Sequence, residues 1–126
     1  MTEPYIIILA GRRIGTTALE MGDPPMGVVV GIVDFDKPVS GYQLFLSHCQ
    51  SAGIRPNEDS PGDRYIDTPA IPALEIQRPD GVVISGLGTC VQGFDDDRFQ
   101  VTVFGISYPF YEEEFPHHCQ TYRERF

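Results

Sequence analysis

The sequence predicts an α+β domain, with a mostly antiparallel sheet of about six strands, one central helix and a short C-terminal helix. Two observations predict this class. Short runs rich in valine and isoleucine alternate with glycine and proline turns, which is typical of strands joined by tight connections. One stretch, residues 39–52, instead spaces its apolar side chains with the period of a helix. A chain of 126 residues with no change in composition along its length is expected to form one domain, residues 1–126.

The first strands are predicted as a hairpin followed by a proline turn. Residues 5–9 are apolar and β-branched, residues 13–20 alternate loosely, and the connection at 10–12 contains glycine. Residues 23–25, Asp-Pro-Pro, cannot lie inside a helix or a central strand, because consecutive prolines fix φ and remove two backbone donors. We therefore expect the chain to turn there.

A long strand is predicted over residues 26–35. Its β-branched residues favour a strand that is buried on both faces. Gly27 and Gly31 carry no side chain, so another backbone can approach the strand closely at either position. We expect both glycines to be required by packing.

The ten residues from Leu19 to Val28 read LEMGDPPMGV. This stretch resembles one found in small uncharacterised bacterial proteins of similar length. The resemblance implies a bacterial origin and a structural role for the double-proline turn. It carries over no activity and no functional residue.

The central helix is predicted over residues 39–52. Ser40 is a suitable N-cap, and Gly53 is a typical C-terminal stop. The apolar residues recur at i, i+3, i+4 and i+7, so they share one face of the helix; they are Tyr42, Phe45, Leu46 and Cys49.

The second half begins with a predicted surface loop over residues 54–72, which holds four prolines and a polar run. Loops longer than about 12–15 residues are often binding elements. Further strands are predicted over 73–78, 82–85, 87–94 and 98–107. A short C-terminal helix is expected from Phe115. The aromatic residues of this last segment favour docking on the sheet, and the alternative is a contact surface for a partner or a second copy.

The charge balance restricts the choice of partner. The chain has 18 acidic and 9 basic residues, and its net charge is −9. This charge disfavours nucleic acid and anionic membrane as partners, because both require a cationic surface, and it favours a basic protein. Three cysteines cannot all pair within the chain, and no apolar run has the length of a membrane span or of a signal-peptide core. We therefore expect a cytoplasmic protein with reduced thiols.

Two acidic runs are the first candidate site: Asp95, Asp96 and Asp97, and Glu112, Glu113 and Glu114. Residues 79–114 hold seven acidic residues and one basic residue, an excess of six. A run of three aspartates is otherwise typical of a solvated turn. The leading hypothesis is a non-enzymatic protein-binding domain, in its sharpest form an acidic inhibitor or immunity-type protein that neutralises a basic partner.

The alternative hypothesis is a small-molecule-binding protein or small enzyme with a pocket near the loop 54–72. The candidate pocket residues are Arg64, Tyr65, His48 and Cys90. A third possibility is a homodimer that forms through the aromatic C-terminal segment.

No metal, cofactor or catalytic residue is predicted. The pairs His48-Cys49 and His117-His118-Cys119 lack the spacing of closed zinc sites, because adjacent residues usually point apart. We interpret these residues as packed cysteines and surface histidines. Cys90 follows a glycine-rich stretch, but a catalytic cysteine requires a histidine close in space, and the sequence does not establish one. We expect Cys90 to be a small buried strand residue.

Overall fold

The computed structural model describes residues 3–126, and Met1 and Thr2 lie outside them. It confirms the α+β class. In chain order, the described strands are β1 (Tyr5–Leu9), β2 (Arg12–Thr17), β3 (Met21–Asp23), β4 (Val28–Ile32), β5 (Asp34–Phe35), β6 (Glu58–Ser60), β7 (Tyr65–Asp67), β8 (Leu74–Gln77), β9 (Gly88–Phe94) and β10 (Phe99–Phe104). The helices are α1 (Gly41–Ala52), α2 (Phe110–Glu114) and α3 (Pro116–Arg125).

The strands are divided between two antiparallel sheets. The four-stranded sheet has the order β5-β2-β1-β8, and the six-stranded sheet has the order β3-β4-β10-β9-β7-β6. The predicted hairpin of β1 and β2 is confirmed, and it turns at Ala10 and Gly11, both of which have positive φ. Buried side chains from both sheets and all three helices form one hydrophobic core.

The predicted strand over 26–35 is broken into two, because Val33 takes the chain from the six-stranded sheet to the four-stranded sheet. The expectation that it is buried on both faces is also wrong. In β4, Val29 is buried while Val28 and Val30 are half-buried, so one face lies in the core and the other does not. The double proline forms a short 3₁₀ turn between β3 and β4, as a turn was predicted there.

Close backbone approach is confirmed at both predicted glycines. A Cβ atom on Gly31 would overlap Thr17 Oγ1 and would lie 2.8 Å from the backbone nitrogen of Leu19. A Cβ atom on Gly27 would lie 2.5 Å from the carbonyl oxygen of Ile106, and Gly27 has φ +65°. Gly31 therefore lies where the chain, on its way from β2 to β3, passes closest to β4.

The central helix is confirmed with its predicted caps. Ser40 Oγ accepts a hydrogen bond from the Gln43 backbone N–H, and Gly53 ends the helix in the left-handed conformation. Phe45 is fully buried, and its ring centroid lies 5.8 Å from that of Phe99. Helix α1 thus packs on the inner face of the six-stranded sheet, and Cys49 is buried on the helix face predicted to be apolar.

The C-terminal segment is docked, as its aromatic residues indicated. Tyr111 and Phe115 are buried, and the Tyr111 hydroxyl donates a hydrogen bond to the carbonyl oxygen of Val28 at 2.9 Å. His118 is buried as well, which corrects its interpretation as a surface histidine, and burial lowers the pKa of its imidazole. Its Nε2 lies 2.8 Å from the carbonyl oxygen of Leu19.

Residues 54–72 are not the structureless loop that their prolines predict, because they contain the β6–β7 hairpin. Residues 82–85, predicted as a strand, make only an isolated bridge between Val83 and Gln77. Within residues 3–126, no helix combines the length and the apolar character needed to cross a membrane.

Candidate functional site

The six-stranded sheet has one face in the core and one that holds no buried side chain. Burial alternates along β9, where Thr89 and Val91 are buried while Cys90 and Gln92 are not. The same alternation occurs in β4 and β10, and antiparallel register places the unburied residues of neighbouring strands on one side. We call this side the open face.

The centre of the open face is mainly apolar. Its half-buried side chains on the three adjacent strands β4, β10 and β9 are Val28, Val30, Ile32, Phe104, Cys90, Thr102 and Gln100. Gln100 is paired with Gln92 of β9, and both line the cleft described below, so the polar part of the centre lies at that end. Side chains on a sheet shield one another laterally, so partial burial is expected even without a covering layer. Contiguous apolar surface that remains accessible to solvent is typical of interaction sites in soluble proteins.

The edges of the open face are acidic. Asp23 on β3 lies opposite Val28, and Glu58 on β6 lies directly opposite Asp67 on β7. No lysine or arginine occupies a strand position of this face, and none forms an ion pair with these three carboxylates in the described chain. Like charges directly opposite in a sheet are destabilising, so the Glu58–Asp67 pair opposes folding.

A cleft of about 620 Å³ occupies the end of the open face where β9 turns into β10. Tyr65 and Phe94 form one wall, with ring centroids 4.4 Å apart, and Asp97 and Arg98 line it as well. The structure therefore brings together Tyr65 and Asp97, which the sequence assigned to different hypotheses.

Asp95 belongs to a polar cluster with Ser40, Tyr42 and Arg64. The Arg64 Nε donates a hydrogen bond to Asp95 Oδ2 at 2.7 Å, and the Tyr42 backbone N–H donates one to Oδ1 at 2.8 Å. Burial raises the pKa of this carboxyl, but hydrogen bonds from Ser40, Tyr42 and Arg64 outweigh that effect and lower it below its ordinary value. Asp95 and Arg64 thus fix the turn of the β6–β7 hairpin to the start of α1.

The variant Asp95→Asn is expected to lower the free energy of unfolding by about 1–3 kcal/mol at pH 7, because it weakens charge-assisted hydrogen bonds to a carboxylate with little exposure. A lowered pKa means that the stabilisation is present above the ordinary carboxyl pKa of about 4 and is lost as the pH falls through the folded value. The difference from the wild type should therefore shrink at pH 3. Urea unfolding at both pH values measures it.

Asp96→Asn is the matched control, because Asp96 is exposed and outside the cluster. It should change stability by less than about 0.5 kcal/mol. Equal losses for Asp95→Asn and Asp96→Asn would show that the cluster does not stabilise the fold.

The two acidic runs lie at opposite ends of β10, which spans about 20 Å at 3.4 Å per residue. Glu114 accepts hydrogen bonds from the Tyr5 hydroxyl and from Arg78 and is largely shielded. The remaining members of the runs, apart from Asp95, are exposed: Asp96, Asp97, Glu112 and Glu113. The runs thus contribute to separate surfaces.

The four residues of the predicted pocket do not converge. His48 lies on α1, which packs on the inner face of the sheet, whereas Cys90 and Tyr65 lie on the open face. Arg64 belongs to the cluster with Asp95. Cys90 is half-buried rather than buried, and burial, followed by the charge of Asp67, raises the pKa of its thiol. A protonated thiol is a poor nucleophile.

The three cysteines are free, and Cys49 and Cys119 are buried. Within residues 3–126, no group of three or more histidine, cysteine, aspartate or glutamate side chains is placed to hold a metal ion.

Comparisons of the chain with protein-family models, with curated proteins and with solved structures gave no match. The function is therefore inferred from the chemistry of the open face alone.

Proposed function

We propose that this chain is a non-enzymatic protein-binding domain whose contact surface is the open face and whose partner is basic. The observation that carries this proposal is an apolar sheet face, free of buried side chains, between acidic edges. An apolar centre with a polar rim is the usual composition of a protein–protein contact surface. The charge balance supports the same class of partner, because a net charge of −9 attracts basic proteins during diffusion.

The proposed contact surface differs from the two acidic runs that the sequence indicated. The sequence directed attention to the runs 95–97 and 112–114, but Asp95 and Glu114 already have partners within the fold. Asp97 lines the cleft of the open face, where it forms an exposed ion pair with Arg98 at 3.7 Å, and it remains in the proposed contact surface. The acids at the edges of the open face, Asp23, Glu58 and Asp67, take the place of the others.

The variant Thr102→Arg tests the contact surface. Thr102 lies at the centre of the open face and is half-buried, so arginine there extends outward and does not enter the core. Its charge should repel a basic partner and interrupt the apolar contact. We expect capture of the partner from a lysate of the native host to fall at least about tenfold, as measured by quantitative mass spectrometry, because a buried unpaired charge costs several kcal/mol.

Thr16→Arg is the matched control. Thr16 is also a half-buried strand residue, but it lies on the outer face of the four-stranded sheet. Circular dichroism melting curves should show that both variants fold. If both baits capture the same proteins in the same amounts, the open face is not the contact surface.

A small-molecule site in the cleft is the second candidate function. The cleft volume of about 620 Å³ lies in the range of ligand sites, and the Tyr65–Phe94 pair supplies an aromatic wall. A ligand that binds the native state raises the melting temperature, so a thermal-shift screen with metabolites tests this candidate. Flat responses across a broad panel would exclude it in favour of the protein partner.

A further inference from the structure

We infer that the basic partner presents an amphipathic α-helix to the open face, with an apolar stripe bordered on both sides by lysine or arginine. This inference rests on the proposed function and names the form of the partner. It follows from the width of the face, from the position of its charges and from the short edges of the sheet.

The width of the open face matches one helix. The apolar centre covers the adjacent strands β4, β10 and β9, and the acids lie on the strands at either side. From β3 to β7 there are four inter-strand spacings, or roughly 19 Å at about 4.8 Å each. A helix with its side chains is about 10–12 Å across. It would therefore cover the apolar centre and leave the acidic edges within reach of long side chains on its flanks.

The acidic edges of the open face are complementary to a helix that carries basic side chains on both flanks. Asp23 lies on one side of the apolar centre, and the opposed pair Glu58 and Asp67 lies on the other. The Glu58–Asp67 pair is unfavourable in the free protein, and a lysine or arginine placed between the two carboxylates removes that repulsion. Two copies of this chain that pack open face against open face cannot satisfy the face in this way, because both would present acids at the edges.

An added strand fits the face less well than a helix. A strand binds at the edge of a sheet through backbone hydrogen bonds. The edge strands β3 and β6 are three residues long, so a strand at either one gains few hydrogen bonds and leaves the apolar centre uncovered. A helix packed across a sheet buries the centre directly, as in the layers of α+β domains.

Two synthetic peptides of identical leucine and lysine composition test this inference. Each has about 14 residues, which gives a helix of about 21 Å, close to the length of β10. The first places leucine with helical period and lysine on both flanks, and the second alternates leucine and lysine with the period of a strand. Fluorescence anisotropy at physiological salt measures both affinities. The helical peptide should bind at least about tenfold more tightly than the alternating peptide.

Substitutions on the face locate the peptide. Thr102→Arg should weaken binding of the helical peptide at least about tenfold, and Thr16→Arg should change it less than about twofold. Gln100→Arg, half-buried on the same strand, is the second variant if Thr102→Arg does not fold. Asp67→Asn should weaken binding and also stabilise the free protein, because it removes the repulsion from Glu58.

Equal affinity for the two peptides, or equal effects of Thr102→Arg and Thr16→Arg on the helical peptide, would overturn the inference. An experiment with the native partner distinguishes failure of the helix inference from failure of the proposed function. Capture that depends on Thr102, together with hydrogen exchange that shows a protected strand or loop in the partner, would overturn the inference of a helix. It would still support the open face as the contact surface. If capture of the partner does not depend on Thr102, the proposed function itself fails.

Discussion

Gly31→Ala is expected to lower the free energy of unfolding by about 3 kcal/mol or more, because the added methyl group has no room to move into. Its Cβ atom would overlap Thr17 Oγ1 and would lie 2.8 Å from the Leu19 nitrogen and 2.9 Å from its Cα atom. Two of these atoms belong to backbone, and Leu19 is fully buried with positive φ. A rotamer change therefore cannot relieve the overlap. Urea unfolding followed by far-UV circular dichroism measures the loss.

Gly62→Ala is the matched control for Gly31→Ala. A Cβ atom on Gly62 meets nothing within 4 Å, and its φ is not positive. This variant should stay within about 0.5 kcal/mol of the wild type. If Gly31→Ala lowered the free energy of unfolding by less than about 1 kcal/mol, the segment from Thr17 to Leu19 would move away from β4 at little cost.

Phe115→Ala is expected to cost about 3–5 kcal/mol, the range found when a buried aromatic ring is removed. The Phe115 side chain is 1% exposed and lies between α2 and α3. Its ring contacts those of Tyr5, Tyr111 and His118, with centroid distances from 5.4 to 5.9 Å. Its loss removes the ring contact between the C-terminal helices and Tyr5 of β1, and it removes the packing of Phe115 against Tyr111 and His118. Chemical denaturation at pH 7 should therefore show a lower midpoint.

Phe126→Ala provides the comparison within the same segment. Phe126 is 86% exposed at the end of α3, so its removal should change stability by less than about 0.5 kcal/mol. If Phe126→Ala were as costly as Phe115→Ala, the end of the chain would make contacts in solution that the structure does not have.

The parts of the fold that depend on local sequence signals could be predicted. The caps and the apolar face of α1 are set by residues within a few positions of one another, and so is the β1–β2 turn. The glycine positions in β4 could be predicted as well, since the lack of a side chain indicates close approach without naming the partner. Leu19 and Ile106, which make that approach, could not be identified in this way.

The division into two sheets could not be predicted, because it depends on pairing between distant strands. Residues 26–35 carry β-branched side chains on both sides of Val33, so no change of pattern marks the break. The β6–β7 hairpin was hidden for another reason. Its strands are three residues long, too short to show periodicity, and prolines surround them.

The open face was missed because β4 looks apolar on both sides. Val28, Val29 and Val30 have the same side chain, so alternation of burial leaves no trace in the sequence. Counting acidic residues in the sequence also did not show which of them bind other side chains of the fold. Asp95 and Asp96 are indistinguishable in sequence, yet Arg64 and Ser40 bind only the first. One signal was present, the alternation of apolar and polar residues in β10.

The short edges of the six-stranded sheet affect how this protein behaves when many copies meet. β3 is followed directly by Pro24, which has no N–H to donate, and β6 carries Glu58 and Asp59. Edges that are short, acidic and interrupted by proline cannot template a growing cross-β ladder, and identical edges repel each other. The six-stranded sheet therefore exposes an apolar surface without offering its edges as a template for fibril growth.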